Sequence, residues 1–299
     1  MMEYKKLGKS DLNISKIGFG CMSLKDDQTR NQKIIDQAID YGINYFDTAD
    51  LYDKGMNEAS VGKALKGKRE KVIIATKVGN QVRSDGSGWD WNPNKTYILS
   101  AVEQSLKRLQ TNYIDLYQLH GGTMEDPIDE TIETFEQLKA EGKIRYYGIS
   151  SIRPTVIREY VKRSNIISVM MQYSLLDRRP EELVLPLLME HSIGVLARGS
   201  VASGLLVDKP AKAYLQYTEQ QVATAATAIK KTAAENRSSA QTAIQFVLTN
   251  PAITSAVVGI RTMEQLKDAA ETLMADQLTE NELSALKTAI QVNRYLDYK

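Results

Sequence analysis

The chain has 299 residues, 42% of them hydrophobic and 25% charged, with a formal net charge of +1; it reads as a soluble globular protein without the field needed to attract nucleic acid or an anionic membrane. No apolar run reaches the roughly 20 residues of a membrane helix, and a single cysteine, Cys21, excludes an intramolecular disulfide framework. The opening MMEYKKLGKSD has no apolar signal-peptide core, so a cytoplasmic location is expected.

In chain order, YKKL, a turn at GKSD and NISK read as a short hairpin, and IGFG as the first strand of a larger sheet. A helix is expected from Asp27 to Tyr41, with Ile34, Ile35, Ala38 and Ile39 on its apolar side and Gly42 as its stop. The strand INYF follows, then a helix from Asn57 to Lys66. KVIIATK is continuous and β-branched, which suits a strand buried on both faces. A helix over Lys95 to Gln110 leads to the strand YIDLYQLH. The next helix should open with Asp126 as N-cap and Pro127 in its first turn, and close near Gly142.

RYYGIS, SVMMQYS and IGVLAR read as further strands, separated by helices over Pro154 to Arg163 and Pro180 to His191. Two helical runs follow, Glu219 to Asn236 and Ser239 to Thr249, and then the strand SAVVGI. Thr262 should open the next helix in a capping box with Gln265, and a last amphipathic helix should cover Thr279 to Gln291. Strands and helices alternate about eight times with no Pro-, Gly- or Ser-rich linker. One domain over residues 1–299 is expected, a (β/α)8 TIM barrel with an N-terminal hairpin and extra C-terminal helices. The rival, an open doubly wound sheet, would carry a glycine-rich phosphate loop after its first strand, and GFGCM matches that loop poorly.

Polar residues at the strand ends carry the functional reading. In a barrel all carboxyl ends face one side, so Asp47, Tyr52, Lys77 and His120 can converge although they lie far apart in sequence. Ser150, Ser151, Gln172 and Arg198 end later strands. Taken one at a time, each has a plainer role: Asp47 as a turn cap, Lys77 as a solvated strand end, His120 as a hydrogen-bonded rim residue. His191, at a helix end, reads as structural. No metal-ligand cluster is visible among two histidines and one cysteine.

The stretches GFGCM, NYFDTADLYDKGMNE, IIATK, SLKRLQTNYIDLYQLH, KAEGKIRYYGISS, MQYSLLDR, LARGSVASGLL and VVGIRTMEQL make nearly the whole chain resemble the aldo-keto reductase superfamily. The likeness is to the bacterial branch related to general-stress and inositol-cluster reductases and to potassium-channel β subunits. It implies reduction of aldehydes or ketones by hydride transfer from NADP(H), with Asp47, Tyr52, Lys77 and His120 as catalytic tetrad. The chemistry fits those types. A free tyrosine, with a pKa of about 10, is a reluctant proton donor at neutral pH, and an adjacent ammonium favours its phenolate. Lys77 would supply that charge, Asp47 would hold Lys77, and His120 would orient the carbonyl.

The resemblance also assigns cofactor contacts. Gly20, Cys21 and Met22 would lie, with Asp47, beside the nicotinamide ribose. Ser150, Ser151 and Gln172 would hold the carboxamide, and Arg198 would stack on the ring. Gly199, Ser200, Val201, Gly204, Leu205 and Lys209 would drape over the pyrophosphate. Gly259, Arg261, Thr262, Gln265 and Asp268 would surround the adenosine, with Arg261 reading a 2′-phosphate.

Five positions depart from the family pattern. Ser151 and Ala269 stand where asparagine is frequent, and Ser200 where the branch has proline. Asp53 replaces a glycine after the catalytic tyrosine, and Gly121 a tryptophan after the histidine. Trp89 and Trp91 are candidates to line the substrate pocket instead. The C-terminal YLDYK leaves little room for a long specificity loop. Three rivals stay open: a Schiff-base barrel enzyme using Lys77, a cofactor-binding regulatory subunit, and a dead enzyme that senses cofactor. The expected partner is a small aldehyde or ketone, with no nucleic acid or membrane; sequence does not specify the oligomeric state.

Overall fold

A computed structural model of the chain describes residues 1–24 and 26–297. Strands β1 (Tyr4–Lys6) and β2 (Asn13–Ser15) pair antiparallel as the expected hairpin. Its turn needs Gly8: φ is +56°, and a Cβ there would sit 2.3 Å from the Ile167 carbonyl oxygen. Leu7, Leu12 and Ile14 of this hairpin are buried against Tyr45, Ala75, Leu116, Ile167, Met170, Leu196 and Val257.

Eight parallel strands then close into a barrel: β3 (Ile17–Gly20), β4 (Tyr45–Asp47), β5 (Ile73–Val78), and, past the short strands β6 (Asn80–Val82) and β7 (Trp89–Trp91), β8 (Ile114–Leu119), β9 (Ile144–Ser150), β10 (Ser168–Gln172), β11 (Gly194–Arg198) and β12 (Ile253–Gly259). β12 returns to pair with β3. Helices α1 (Gln28–Asp40), α2 (Met56–Ala64), α3 (Lys95–Leu109), α4 (Ile128–Ala140), α5 (Pro154–Arg163), α6 (Pro180–Glu190), α7 (Glu219–Thr232), α8 (Ser239–Leu248) and α9 (Met263–Glu271) follow the barrel strands, and α10 (Glu280–Thr288) packs on α7. The larger apolar core lies between the helices and the outer barrel face. Among the described residues no helix is long and apolar enough to cross a membrane.

Alternation along the strands positions the site. Side chains two apart share a face. Tyr45, Ala75, Leu116, Met170 and Leu196 belong to the cluster that packs on the N-terminal hairpin. Two residues further on come Asp47, Lys77, Gln118, Gln172 and Arg198. The register sets Asp47 beside Ala75 and Lys77 beside Gln118. One set of inward positions is therefore apolar at the closed end and polar at the open end.

Several local expectations are corrected. Asp126 does not cap α4, whose N-cap is Pro127 without a side-chain bond. Its carboxylate instead accepts from Trp91 Nε1 at 2.8 Å and from the backbone and hydroxyl of Thr123 at 2.7 and 2.8 Å. Thr262 does cap α9, accepting from the Gln265 N–H, but the Gln265 side chain returns to the Arg261 N–H at 2.9 Å rather than to Thr262, so the box is half formed. Trp89–Trp91 pairs with Asn80–Val82 as a hairpin over the barrel mouth. The expected helix to Asn236 stops at Thr232. At the C-terminus, Tyr298 and Lys299 lie outside the described residues. The described part of that stretch lines no part of the cleft.

Candidate active site

The carboxyl ends of the barrel strands open onto a cleft of about 1050 Å³. Lys77 sits beneath it, 1% exposed. Its Nζ donates to Asp47 Oδ1 at 2.5 Å, to the Thr48 carbonyl at 2.7 Å and to Tyr52 Oη at 3.3 Å. All three donors of an ammonium are thereby used. Gln118 Nε2 approaches the other Asp47 oxygen at 3.3 Å. His120 stands across the cleft with its ring edge-on to Tyr52, centroids 5.9 Å apart. Asp47, Tyr52 and His120 line the cleft, so the four residues that sequence singled out do meet.

Electrostatics follow from burial. Desolvation opposes the Lys77 ammonium, but Asp47 and Tyr52 outweigh it and the pKa is raised. Burial pushes Asp47 above its ordinary carboxylate value, against the pull of Lys77 and Gln118. Desolvation, then the charges of Lys77 and Arg198, lowers His120 from 6.5 to about 3. The imidazole is neutral over the working pH range, and its buried Nδ1 has no partner among the described residues. A neutral ring can donate one hydrogen bond to an oxygen in the cleft.

One side of the cleft is shaped for an extended ligand. Gly20 and Met22 line it at the end of β3, but the Cys21 side chain is turned away and fully buried. Ser150, Ser151 and Arg198 line the floor. Gln172 lies outside the lining, joined to Tyr214 Oη at 2.7 Å and to Arg198 Nη1 at 3.1 Å. In the loop after β11, Gly199, Val201, Gly204 and Lys209 face the cleft, whereas Ser200 and Leu205 are buried behind it. Gly204 has φ +93°, and its missing Cβ would lie 3.2 Å from the Lys209 side chain. Beyond β12, Gly259, Arg261, Gln265 and Asp268 line the far end; Thr262 serves the helix instead. The Arg261 guanidinium is exposed beside the α9 N-terminus, with no side-chain partner among the described residues. Asp268, raised by burial, accepts from Ser238 Oγ at 2.8 and 3.0 Å.

Trp89 and Trp91 both line the mouth, Trp89 half exposed. The glycine at 121 now has a reason. A Cβ there would meet the Trp91 ring at 3.0 Å, so Trp91 occupies the space that a larger residue at 121 would claim. Asp53 and Lys54 hold left-handed φ of 48° and 54°, which explains why glycine suits the position after Tyr52.

Sequence reading missed several residues. Gln118 sits inside an apolar strand, where period-2 alternation alone would have put it on the Asp47 face. Asn80, Thr123 and Arg153 also line the mouth, and Thr48 contributes through its carbonyl, which no side-chain pattern signals. His191 is structural, its Nδ1 3.0 Å from the Leu187 carbonyl. Among the described residues no group of three or more His, Cys, Asp or Glu is placed to hold a metal.

A model of the Aldo/keto reductase family matches residues 16–291. The chain is 52% identical over 303 residues to the uncharacterized oxidoreductase YqkF of Bacillus subtilis (strain 168), covering 98% of each. Among solved structures it is similar to the holo form of aldo-keto reductase AKR11C1 from Bacillus halodurans, at 49% identity and TM-score 0.93 over 100% of this chain and 99% of that one. The glycerol dehydrogenase AKR11B4 from Gluconobacter oxydans is 26% identical, with TM-score 0.85 over 96% and 94% of the two chains.

Proposed function

Because the chain belongs to the aldo/keto reductase family of oxidoreductases, which use nicotinamide cofactors, we propose that it reduces aldehydes or ketones to alcohols with NADPH, and that Tyr52 is the proton donor. The observation that carries this reading is the buried Lys77 ammonium, bonded at once to Asp47 and to Tyr52 at the edge of the cleft. A bound reduced nicotinamide supplies the hydride. The chain supplies the rest. Tyr52 Oη gives its proton to the oxygen that becomes the alcohol, and the Lys77 charge stabilises the phenolate left behind. Asp47, Thr48 and Gln118 keep Lys77 and its counter-ion fixed. Neutral His120 donates a hydrogen bond that orients the carbonyl.

The residues present fit the cofactor. Glycines at 20, 204 and 259 leave room along the wall, and a Cβ on Gly259 would meet Ser23 Oγ at 3.2 Å. Arg198 and Gln172 are braced together at one end, and Arg261 stands free at a helix N-terminus at the other. A cation there suits the 2′-phosphate of NADPH, which NADH lacks. The Schiff-base alternative is disfavoured: that chemistry needs a free amine, and Asp47 and Tyr52 hold Lys77 as the ammonium.

A panel of aldehydes and ketones, assayed by nicotinamide absorbance with NADPH and with NADH, tests the activity. Fluorescence titration tests the cofactor choice. Arg261→Ala should weaken NADPH binding by about 1.5–3 kcal/mol, the scale of a charged hydrogen bond, and leave NADH nearly untouched. Equal losses for both would remove Arg261 from 2′-phosphate recognition.

A further inference from the structure

The turn that carries Tyr52 also carries a buried acid for which proton transfer has no use. Asp50 follows Asp47 by three residues and precedes Tyr52 by two. It is 8% exposed and does not line the cleft. Its N–H donates to the Lys77 carbonyl at 3.2 Å, which ties the turn to the strand presenting Lys77. Its Oδ2 accepts from Tyr97 Oη of α3 at 3.2 Å, and its Oδ1 is buried without a partner among the described residues.

The groups around it come from four elements. β5 offers the Lys77 carbonyl. α2 offers Glu58, fully buried. α3 offers Tyr97 and Arg108, and β8 offers Tyr117, whose buried hydroxyl is also without a partner among the described residues. Glu58 has already taken the cation: Arg108 Nε donates to its Oε2 at 2.7 Å, Thr76 Oγ1 to its Oε1 at 2.6 Å, and Ser105 Oγ reaches it at 3.3 Å. The Arg108 guanidinium is bonded to Glu58 and not to Asp50. Desolvation first, then the Glu58 charge, pushes Asp50 up to about 7, with Tyr97, Arg108 and the Leu51 backbone N–H pulling the other way. A proton on Asp50 removes the second negative charge from this buried cluster.

We propose that Asp50 is a positioning residue: as the neutral acid it locks the turn over residues 49–52 with Tyr52 against Lys77, and as the carboxylate it repels Glu58 and loosens that turn. This rests on Tyr52 being the proton donor. The sign for stability follows. The folded state favours the protonated acid, so its contribution is complete below the ordinary carboxylate value of 3.8 and is lost as pH rises through about 7.

The test is kcat for carbonyl reduction against pH for wild type, Asp50→Asn and Tyr97→Phe, with NADPH affinity and melting temperature measured alongside. Wild-type kcat should fall by roughly tenfold per pH unit above an inflexion near 7, with cofactor affinity constant. Asp50→Asn cannot ionise and keeps an acceptor for Tyr97. It should lose the inflexion and melt several degrees above wild type at alkaline pH, the gap closing in acid. Tyr97→Phe removes a donor that favours the carboxylate, so its inflexion should move to higher pH. An asparagine variant that keeps the wild-type inflexion overturns the proposal. If that variant does not fold, an unmoved inflexion in Tyr97→Phe overturns it equally. Failure of the Tyr52 reading shows separately, as full turnover in Tyr52→Phe, whatever these profiles do.

Discussion

At the scale of single residues, Lys77 is where stability and the proposed chemistry can be tested together. Its charge is out of water and held by one carboxylate, one backbone carbonyl and one phenol. Removing one partner of such a buried pair costs about 3–5 kcal/mol, because the other charge stays behind. Lys77→Met should therefore fold to the native circular dichroism spectrum, melt on the order of 10 °C lower, and lose reductase activity. A variant that loses stability but turns over normally would make Lys77 only an ion-pair partner. The convergence of Asp47, Tyr52, Lys77 and His120 was legible in sequence because each ends, follows or adjoins an apolar strand, where a charge or phenol has no packing reason to be. Gln118 was not, since a neutral amide inside IDLYQL reads as strand. Nor was the inward burial of Cys21, which depends on how the chain turns after Gly20.

At the scale of elements, the hairpin of β6 and β7 is the part the sequence hid. Its strands are three residues each, too short for a periodic signal. The structure fixes it by two glycines and one acid. Gly79 and Gly121 leave space for the Trp91 ring, and Asp126 accepts from the indole N–H. A Cβ at Gly79 would come within 2.6 Å of that ring, at φ +123°. Gly79→Ala should displace Trp91, destabilise by about 1–3 kcal/mol, and raise KM for bulky carbonyls while the NADPH Kd stays constant. A KM unchanged across the substrate panel would place Trp91 outside substrate binding. The same hairpin explains the misread helix start: Asp126 looks like an N-cap before Pro127, but its oxygens are spent on Trp91 and Thr123.

At the scale of the molecule, closure of the barrel converts sequence distance into proximity. Asp47 ends β4 and His120 follows β8, two strands further around the ring, and β5 between them sets Lys77 level with Gln118. Eight alternations of strand and helix made that architecture readable, and the poor phosphate-loop match removed its rival. The far wall was readable only by resemblance, because residues 199–209 and 259–268 have no local pattern that says which cleft they border. The catalytic claim rests on Tyr52. Its most direct test is single-turnover oxidation of bound NADPH by an aldehyde, followed by stopped flow in wild type and Tyr52→Phe, with NADPH affinity titrated in both. The expected result is equal cofactor affinity and a rate lower by on the order of a hundredfold or more in the variant, the loss typical of a missing general acid. A variant that oxidises NADPH at nearly the wild-type rate would contradict the assignment of Tyr52 as the proton donor.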